Sequence, residues 1–127
     1  MKNTKFYICP VCGNIVEMVH NAGPKPFCCG QRMQELVPGS VDASVEKHVP
    51  DVKVGEGYVE VSVGSIHHPM EEGHRIEGVR LVTDKGSYRK QLNPGEAPRV
   101  KFLLDGEKPL EVYAYCNLHG LWKTELN

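Results

Sequence analysis

The amino-acid sequence predicts a mostly β protein in two parts, a small metal-binding module followed by an antiparallel β-sandwich. Four of the five cysteines fall between residues 9 and 29 of a 127-residue chain, a density that suits a metal site. Beyond Pro38-Gly39-Ser40 the sequence reads as short, regularly spaced strands separated by turn residues. No long segment keeps a convincing helical period.

Length and composition bound the function. The hydrophobic and charged fractions, 40% and 24%, are those of a soluble globular protein. With 15 basic against 16 acidic residues there is no broad basic field, which argues against nucleic acid or an anionic membrane as partner. The start, Met1 to Cys9, lacks the apolar core of a signal peptide, and no later run is long enough to cross a bilayer. The expectation is a cytoplasmic protein, where thiols stay reduced and cysteines serve metal or redox chemistry.

The first module is expected over residues 1–37, with 38–40 as linker and the sandwich over 41–127. Its cysteines run Cys9-x-x-Cys12, then fifteen residues, then Cys28-Cys29. Four thiolates gathered so closely make a tetrahedral site suited to zinc or a single iron. A disulfide between neighbours such as Cys28 and Cys29 is geometrically strained, which disfavours a bridge. A zinc ribbon normally closes with a second Cys-x-x-Cys, so adjacent cysteines should distort the tetrahedron. Gly13, Gly23, Pro24, Pro26 and Gly30 mark turns, leaving strands near Lys5–Ile8 and Ile15–Val19. So small a module has little apolar core, and its metal should supply much of its folding free energy.

In the second part the predicted strands are Tyr58–Ile66, Ile76–Thr83, Ser87–Leu92, Arg99–Leu104 and Leu110–Tyr115, with turns at Asp84-Lys85-Gly86 and Asp105-Gly106. Pro94, Pro98 and Pro109 sit where strands begin or break. In the last strand Leu110, Val112, Ala114 and Cys116 share one face, and Glu111, Tyr113 and Tyr115 the other. Val59, Val61 and Val63 alternate with polar residues, whereas Ile66 is out of phase with them. A bulge at Gly64 is therefore expected, carrying Ile66 and His68 to one face and His67 to the other. Pro69 holds His68 extended.

The candidate site centres on Cys116-Asn117-Leu118-His119-Gly120. A thiolate and an imidazole three residues apart reach one metal ion, but two ligands cannot hold it alone. The upstream histidines His48, His67, His68 and His74 are the available reinforcements, with His48 and His74 in loops flanking strands. His20, in the first module, reads as a solvated surface residue. Taken alone, Glu46, Lys47, Glu71 and Glu72 read as solvated charges, and Tyr113, Tyr115 and Trp122 as packing groups.

These motifs, in their order, carry a resemblance. Cys9-x-x-Cys12 with Cys28-Cys29, Glu46-Lys47-His48-Val49-Pro50, His68-Pro69-Met70-Glu71-Glu72 with His74, and Cys116-Asn117-Leu118-His119-Gly120 together resemble the desulfoferrodoxins, the two-iron class of superoxide reductase. The resemblance spans nearly the whole chain. It implies a desulforedoxin-like module with an Fe(Cys)4 iron on Cys9, Cys12, Cys28 and Cys29. It also implies an immunoglobulin-like sandwich with an Fe(His)4Cys iron, on equatorial His48, His68, His74 and His119 and axial Cys116. A homodimer and a rubredoxin-type electron donor are implied as well. One departure is His74-Arg75-Ile76-Glu77-Gly78, where many relatives place aromatic residues beside the third histidine.

The implied activity gives superoxide one electron and two protons, making hydrogen peroxide. That requires a ferrous ion with an open position and a strong donor opposite it, the part a thiolate from Cys116 plays. Ferrous iron with one thiolate keeps a net charge of about +1, and Lys47 adds to this local cationic patch and polarises what binds there. Oxidised iron favours oxygen donors, and the resemblance gives Glu46 the role of closing the open position after turnover. Two other readings stay open on the residues alone: a rubredoxin-like electron carrier without catalysis, and a zinc-ribbon interaction module joined to an unrelated sandwich.

Overall fold

The computed structural model describes residues 4–41 and 43–126; residues 1–3, 42 and 127, which the expected domain bounds include, lie outside them. The chain divides into two compact units, Lys2–Val37 and Pro38–Asn127. Among the described residues no helix is long and apolar enough to cross a membrane.

The smaller unit is built from very short strands. β1 (Phe6–Ile8) is central, between β2 (Ile15–Glu17) and β5 (Gln34–Glu35), both antiparallel to it. β3 (Phe27–Cys28) and β4 (Gln31–Arg32) form a separate hairpin, which sequence pattern does not predict because each strand is two residues long. The core is Tyr7, Cys9 and Met33, with Val16, Met18 and Cys28 packed against it. So few buried side chains, these three and Phe6 among the described residues, bury little apolar surface against the ordering of the chain, so a bound metal should supply much of the balance.

Among the described residues the larger unit is an antiparallel sandwich of seven strands, the number and arrangement of an immunoglobulin-like domain. One sheet holds β6 (Pro50–Gly55), β7 (Tyr58–Val63) and β10 (Arg99–Leu103), in the order β10-β7-β6. The other holds β8 (Ile76–Thr83), β9 (Ser87–Gln91), β11 (Pro109–Cys116) and β12 (Gly120–Glu125), in the order β12-β11-β8-β9. The core between them contains Val59, Val61, Val63, Ile76, Val79, Leu81, Val112, Ala114 and Cys116. In β7 the apolar and polar residues alternate in and out as expected, and Cys116 is wholly buried at the end of β11. The other face of β11 is covered too: Glu111 is buried, with Lys123 Nζ 3.4 Å from its carboxylate.

Two expectations need correction. The strand predicted over Tyr58–Ile66 ends at Val63, because Gly64 adopts a left-handed φ of +81° and starts a turn. There is no bulge that gives Ile66 and His68 a common face: Ile66 is 53% exposed and His68 only 3%. The segment Glu46-Lys47-His48, expected as loop, forms the single helical turn α1 (Val45–His48).

Candidate metal centres

In the small unit, chain reversals bring the four sulfurs together. The backbone N–H groups of Val11 and Cys12 both point at Cys9 Sγ, at 3.4 Å, while Gly13 N–H closes the turn on the Cys9 carbonyl at 3.0 Å. The second turn joins β3 to β4 through Cys29 and Gly30, with φ of 53° and 77°. Positive φ at both central residues makes this the tight hairpin turn whose twist matches the strands, and Cys29 accepts an αL conformation costing on the order of 1 kcal/mol. This turn lets adjacent cysteines face one ion.

The resulting distances fit a metal. Cys12 Sγ lies 3.6 Å from Cys28 Sγ, and Cys28 Sγ lies 3.9 Å from Cys29 Sγ. A tetrahedron with metal–sulfur bonds of about 2.3 Å has edges of roughly 3.8 Å. All five cysteines are free thiols. The backbone N–H of Cys12, with that of Val11, brings Cys9 down to about 6, while contacts with Cys12 and Cys9 push Cys29 up to about 12 and Cys28 upward as well. One thiol ionises readily and its neighbours resist, so full ligation must expel protons from the cluster.

The second group assembles at one end of the sandwich. His48 comes from α1, His68 from the segment after β7, His74 from the turn before β8, and Cys116 and His119 from the two ends of the β11–β12 turn. His67 is exposed, so of the two adjacent histidines only His68 enters. His20 is also exposed, as expected.

The four imidazoles close a ring in which each stands nearly edge-on to the next. Centroid separations are 4.5 Å for His48–His68, 4.7 Å for His68–His74, 5.0 Å for His74–His119 and 4.9 Å for His119–His48, with interplanar angles of 76° to 87°. His48 Nε2 is 3.0 Å from His68 Nε2 and 3.1 Å from His119 Nδ1. Two nitrogens about 2.1 Å from one ion and at right angles lie roughly 3 Å apart, so these separations suit adjacent ligands. Cys116 Sγ completes the set, 3.4 Å from His68 Nε2 and 3.8 Å from His119 Nδ1. His74 Nε2 is buried without a hydrogen-bond partner, as a nitrogen reserved for a metal would be.

The surroundings fix the ligands in a metal-ready state. His48 Nδ1 bonds the Ser44 carbonyl at 2.6 Å and His68 Nδ1 the Pro69 carbonyl at 2.7 Å, which selects the tautomer with free Nε2. Burial holds both rings neutral, lowering His68 to about 4 and His48 in the same direction, although each carbonyl pulls the other way. Burial raises the Cys116 thiol, and the backbone N–H groups of Leu118 and His119 partly offset this by favouring the thiolate. Trp122 stacks on His48 at 5.0 Å and donates Nε1–H to the His119 carbonyl at 3.0 Å. Sequence reasoning gives Trp122 only a packing part and misses both carbonyls. An aromatic residue three positions after a candidate ligand is the one available signal.

Glu46 and Lys47 sit beside His48 on α1, both exposed. Arg75 is half-buried, with its guanidinium bonded to the Glu72 carbonyl.

Comparison with known proteins agrees with this geometry. The sequence model described as desulfoferrodoxin matches residues 40–125, and that of the desulfoferrodoxin N-terminal domain matches residues 2–36. The chain belongs to the desulfoferrodoxin family. It is 48% identical over 122 residues to the desulfoferrodoxin of Nitratidesulfovibrio vulgaris, covering 95% of each chain. It is 35% identical over 105 residues to the superoxide reductase of Thermococcus kodakarensis, covering 68% of this chain and 91% of that one. The superoxide reductase structure from Treponema pallidum superposes with a TM-score of 0.82 at 37% identity, covering 98% of this chain and 100% of that one. Desulfoferrodoxins carry two iron centres, and this chain supplies a ligand set for each.

Proposed function

We propose that the chain is a superoxide reductase, converting superoxide, one electron and two protons to hydrogen peroxide at the Fe(His)4Cys centre without releasing oxygen. The observation that carries this reading is the closed ring of four imidazoles backed by a buried cysteine. Ferrous iron bound there would supply the electron. His48, His68, His74 and His119 would hold it through imidazole nitrogens, which bring no negative charge, so the centre would keep a positive charge that favours an anion. Cys116, shielded from water, contributes the electron-rich donor.

The residues on α1 divide the remaining work. Lys47 is exposed on the turn that carries His48, where its positive charge draws in the anionic radical, with protons arriving through water. Glu46, exposed on the same turn, would offer a carboxylate oxygen, the donor type that oxidised iron favours. Cys9, Cys12, Cys28 and Cys29 hold the second iron, which serves electron relay or assembly. A rubredoxin-type donor, a homodimer and a cytoplasmic setting complete the reading, the last supported by five free cysteines in a chain of this size.

The test is to mix the prereduced, iron-loaded chain with superoxide and assay both products. One hydrogen peroxide per superoxide consumed, with no oxygen evolved, is expected. Oxygen evolution, or superoxide decay no faster than in buffer, would overturn the assignment.

A further inference from the structure

His48 and His68 are oriented by hydrogen bonds to their rings, whereas His74 is held through its backbone. Its own peptide groups are spent locally, since Glu71 N–H bonds the His74 carbonyl at 2.9 Å and His74 N–H bonds the Glu71 carbonyl at 3.2 Å. The flanking residues, Gly73 and Arg75, are gripped by Asn117, which lies between the ligands Cys116 and His119. Asn117 Oδ1 accepts the Arg75 N–H at 2.9 Å, and Asn117 Nδ2 donates to the Gly73 carbonyl at 3.0 Å. The Asn117 backbone N–H adds a third bond, to the Arg75 carbonyl, at 3.2 Å.

This chemistry demands a carboxamide. A backbone N–H can only donate and a carbonyl can only accept, so the two partners fix the orientation of the amide and require one acceptor and one donor on the same planar group. Aspartate offers acceptors alone, and serine reaches with a single hydroxyl. One side chain thereby spans residues 42 to 44 positions away in sequence and locks the His74 turn to the hairpin bearing two other ligands.

We infer that Asn117 is a positioning residue of the Fe(His)4Cys centre, setting where His74 stands relative to Cys116 and His119 and so setting the affinity of the centre for its metal. The inference rests on the metal-centre reading above. Groups that orient ligands without touching the ion typically cost 10–100-fold in affinity when removed.

The experiment titrates the metal-free full chain with cobalt(II), whose absorption differs between a four-thiolate site and a mixed imidazole–thiolate site. Asn117→Ala and Asn117→Ser are each expected to weaken the imidazole–thiolate site about 10–100-fold and leave the four-thiolate site unchanged. A cycle with His74→Ala separates positioning from general support of the fold: if Asn117 acts through His74, its removal has little further effect once His74 is gone. Serine keeps a polar side chain at the position, so the measurement stands even if the alanine variant folds poorly. Affinity within twofold of the parent in the serine variant, or a full loss that persists in the His74→Ala background, overturns the inference. A parent chain with no imidazole–thiolate cobalt band would overturn the metal-centre reading and the inference together.

Discussion

Lys47 and Glu46 are neighbours of opposite charge on one exposed turn, and the proposed mechanism gives them opposite duties. Lys47 acts on an approaching anion through its field, so Lys47→Ala is expected to slow the reaction of superoxide with ferrous enzyme about tenfold or more. The same change should flatten the dependence of that rate on ionic strength, because salt screens steering. Glu46→Ala is expected to leave the encounter rate nearly unchanged, or slightly raised, and to alter the ferric spectrum. Pulse radiolysis at several salt concentrations measures both. An unchanged rate and salt slope in Lys47→Ala would transfer the role to Arg75, which is half-buried beside His74.

The turn α1 carries Glu46, Lys47 and His48, and its seat is the reversal that follows β7. Gly64 N–H bonds the Val49 carbonyl at 3.1 Å, and Ile66 N–H bonds the Glu46 carbonyl at 2.9 Å. A Cβ at Gly64 would stand 2.5 Å from the Glu46 and Ile66 carbonyl oxygens and 2.6 Å from the Lys47 carbonyl carbon. These are backbone atoms that cannot rotate aside, and φ is already left-handed. Gly64→Ala is therefore expected to destabilise the larger unit by about 2–4 kcal/mol, adding the αL penalty to overpacking. It should also displace α1, so iron at the Fe(His)4Cys centre is lost more readily than iron at the four-thiolate centre. Thermal unfolding and metal analysis check this, and a variant as stable as the parent would mean that the turn is not seated on this backbone.

Each unit of the molecule has its own core and its own ligand set. Cys12→Ser is expected to abolish the tetrathiolate absorption while changing superoxide reduction by the prereduced chain less than about twofold, as for independent sites. Loss of the imidazole–thiolate iron spectrum in the same variant would show that the units depend on each other. Acid should destabilise the larger unit. His48 and His68 are buried neutral with lowered values, so below 6.5 the unfolded chain takes up protons that the folded one refuses. Stability of the metal-free chain then falls as pH drops from 6.5, the His68 contribution continuing until about 4, where the folded ring protonates too. Urea midpoints across this range measure it; a midpoint that stays flat would mean that these rings are not buried neutral.

The sequence alone determined the features written in residue type and spacing. The four-cysteine pattern, the alternation of Val59, Val61 and Val63, the boundaries of Ile76–Thr83, the inward phase of Val112, Ala114 and Cys116, and the motifs carrying the ligands were all legible, because side-chain chemistry and periodicity encode them. Tertiary structure decided what depends on pairing. β6 escapes the sequence pattern although Val52 and Val54 alternate with Asp51 and Lys53, because so short a run between Pro50 and Gly55 is weak evidence by itself, and its ladder with β7 is what identifies it. β12 escapes it because the strand follows the Cys116–His119 turn at once and is defined by its pairing with β11. The turn at Gly64 explains why His68 rather than His67 enters the site, where strand phase reaches the same residue through a bulge that does not exist. The ring order of the histidines, the carbonyls of Ser44 and Pro69 and the grip of Asn117 were invisible in the sequence. They rest on backbone groups that every residue carries, which gain meaning only when the fold brings distant segments within hydrogen-bond reach.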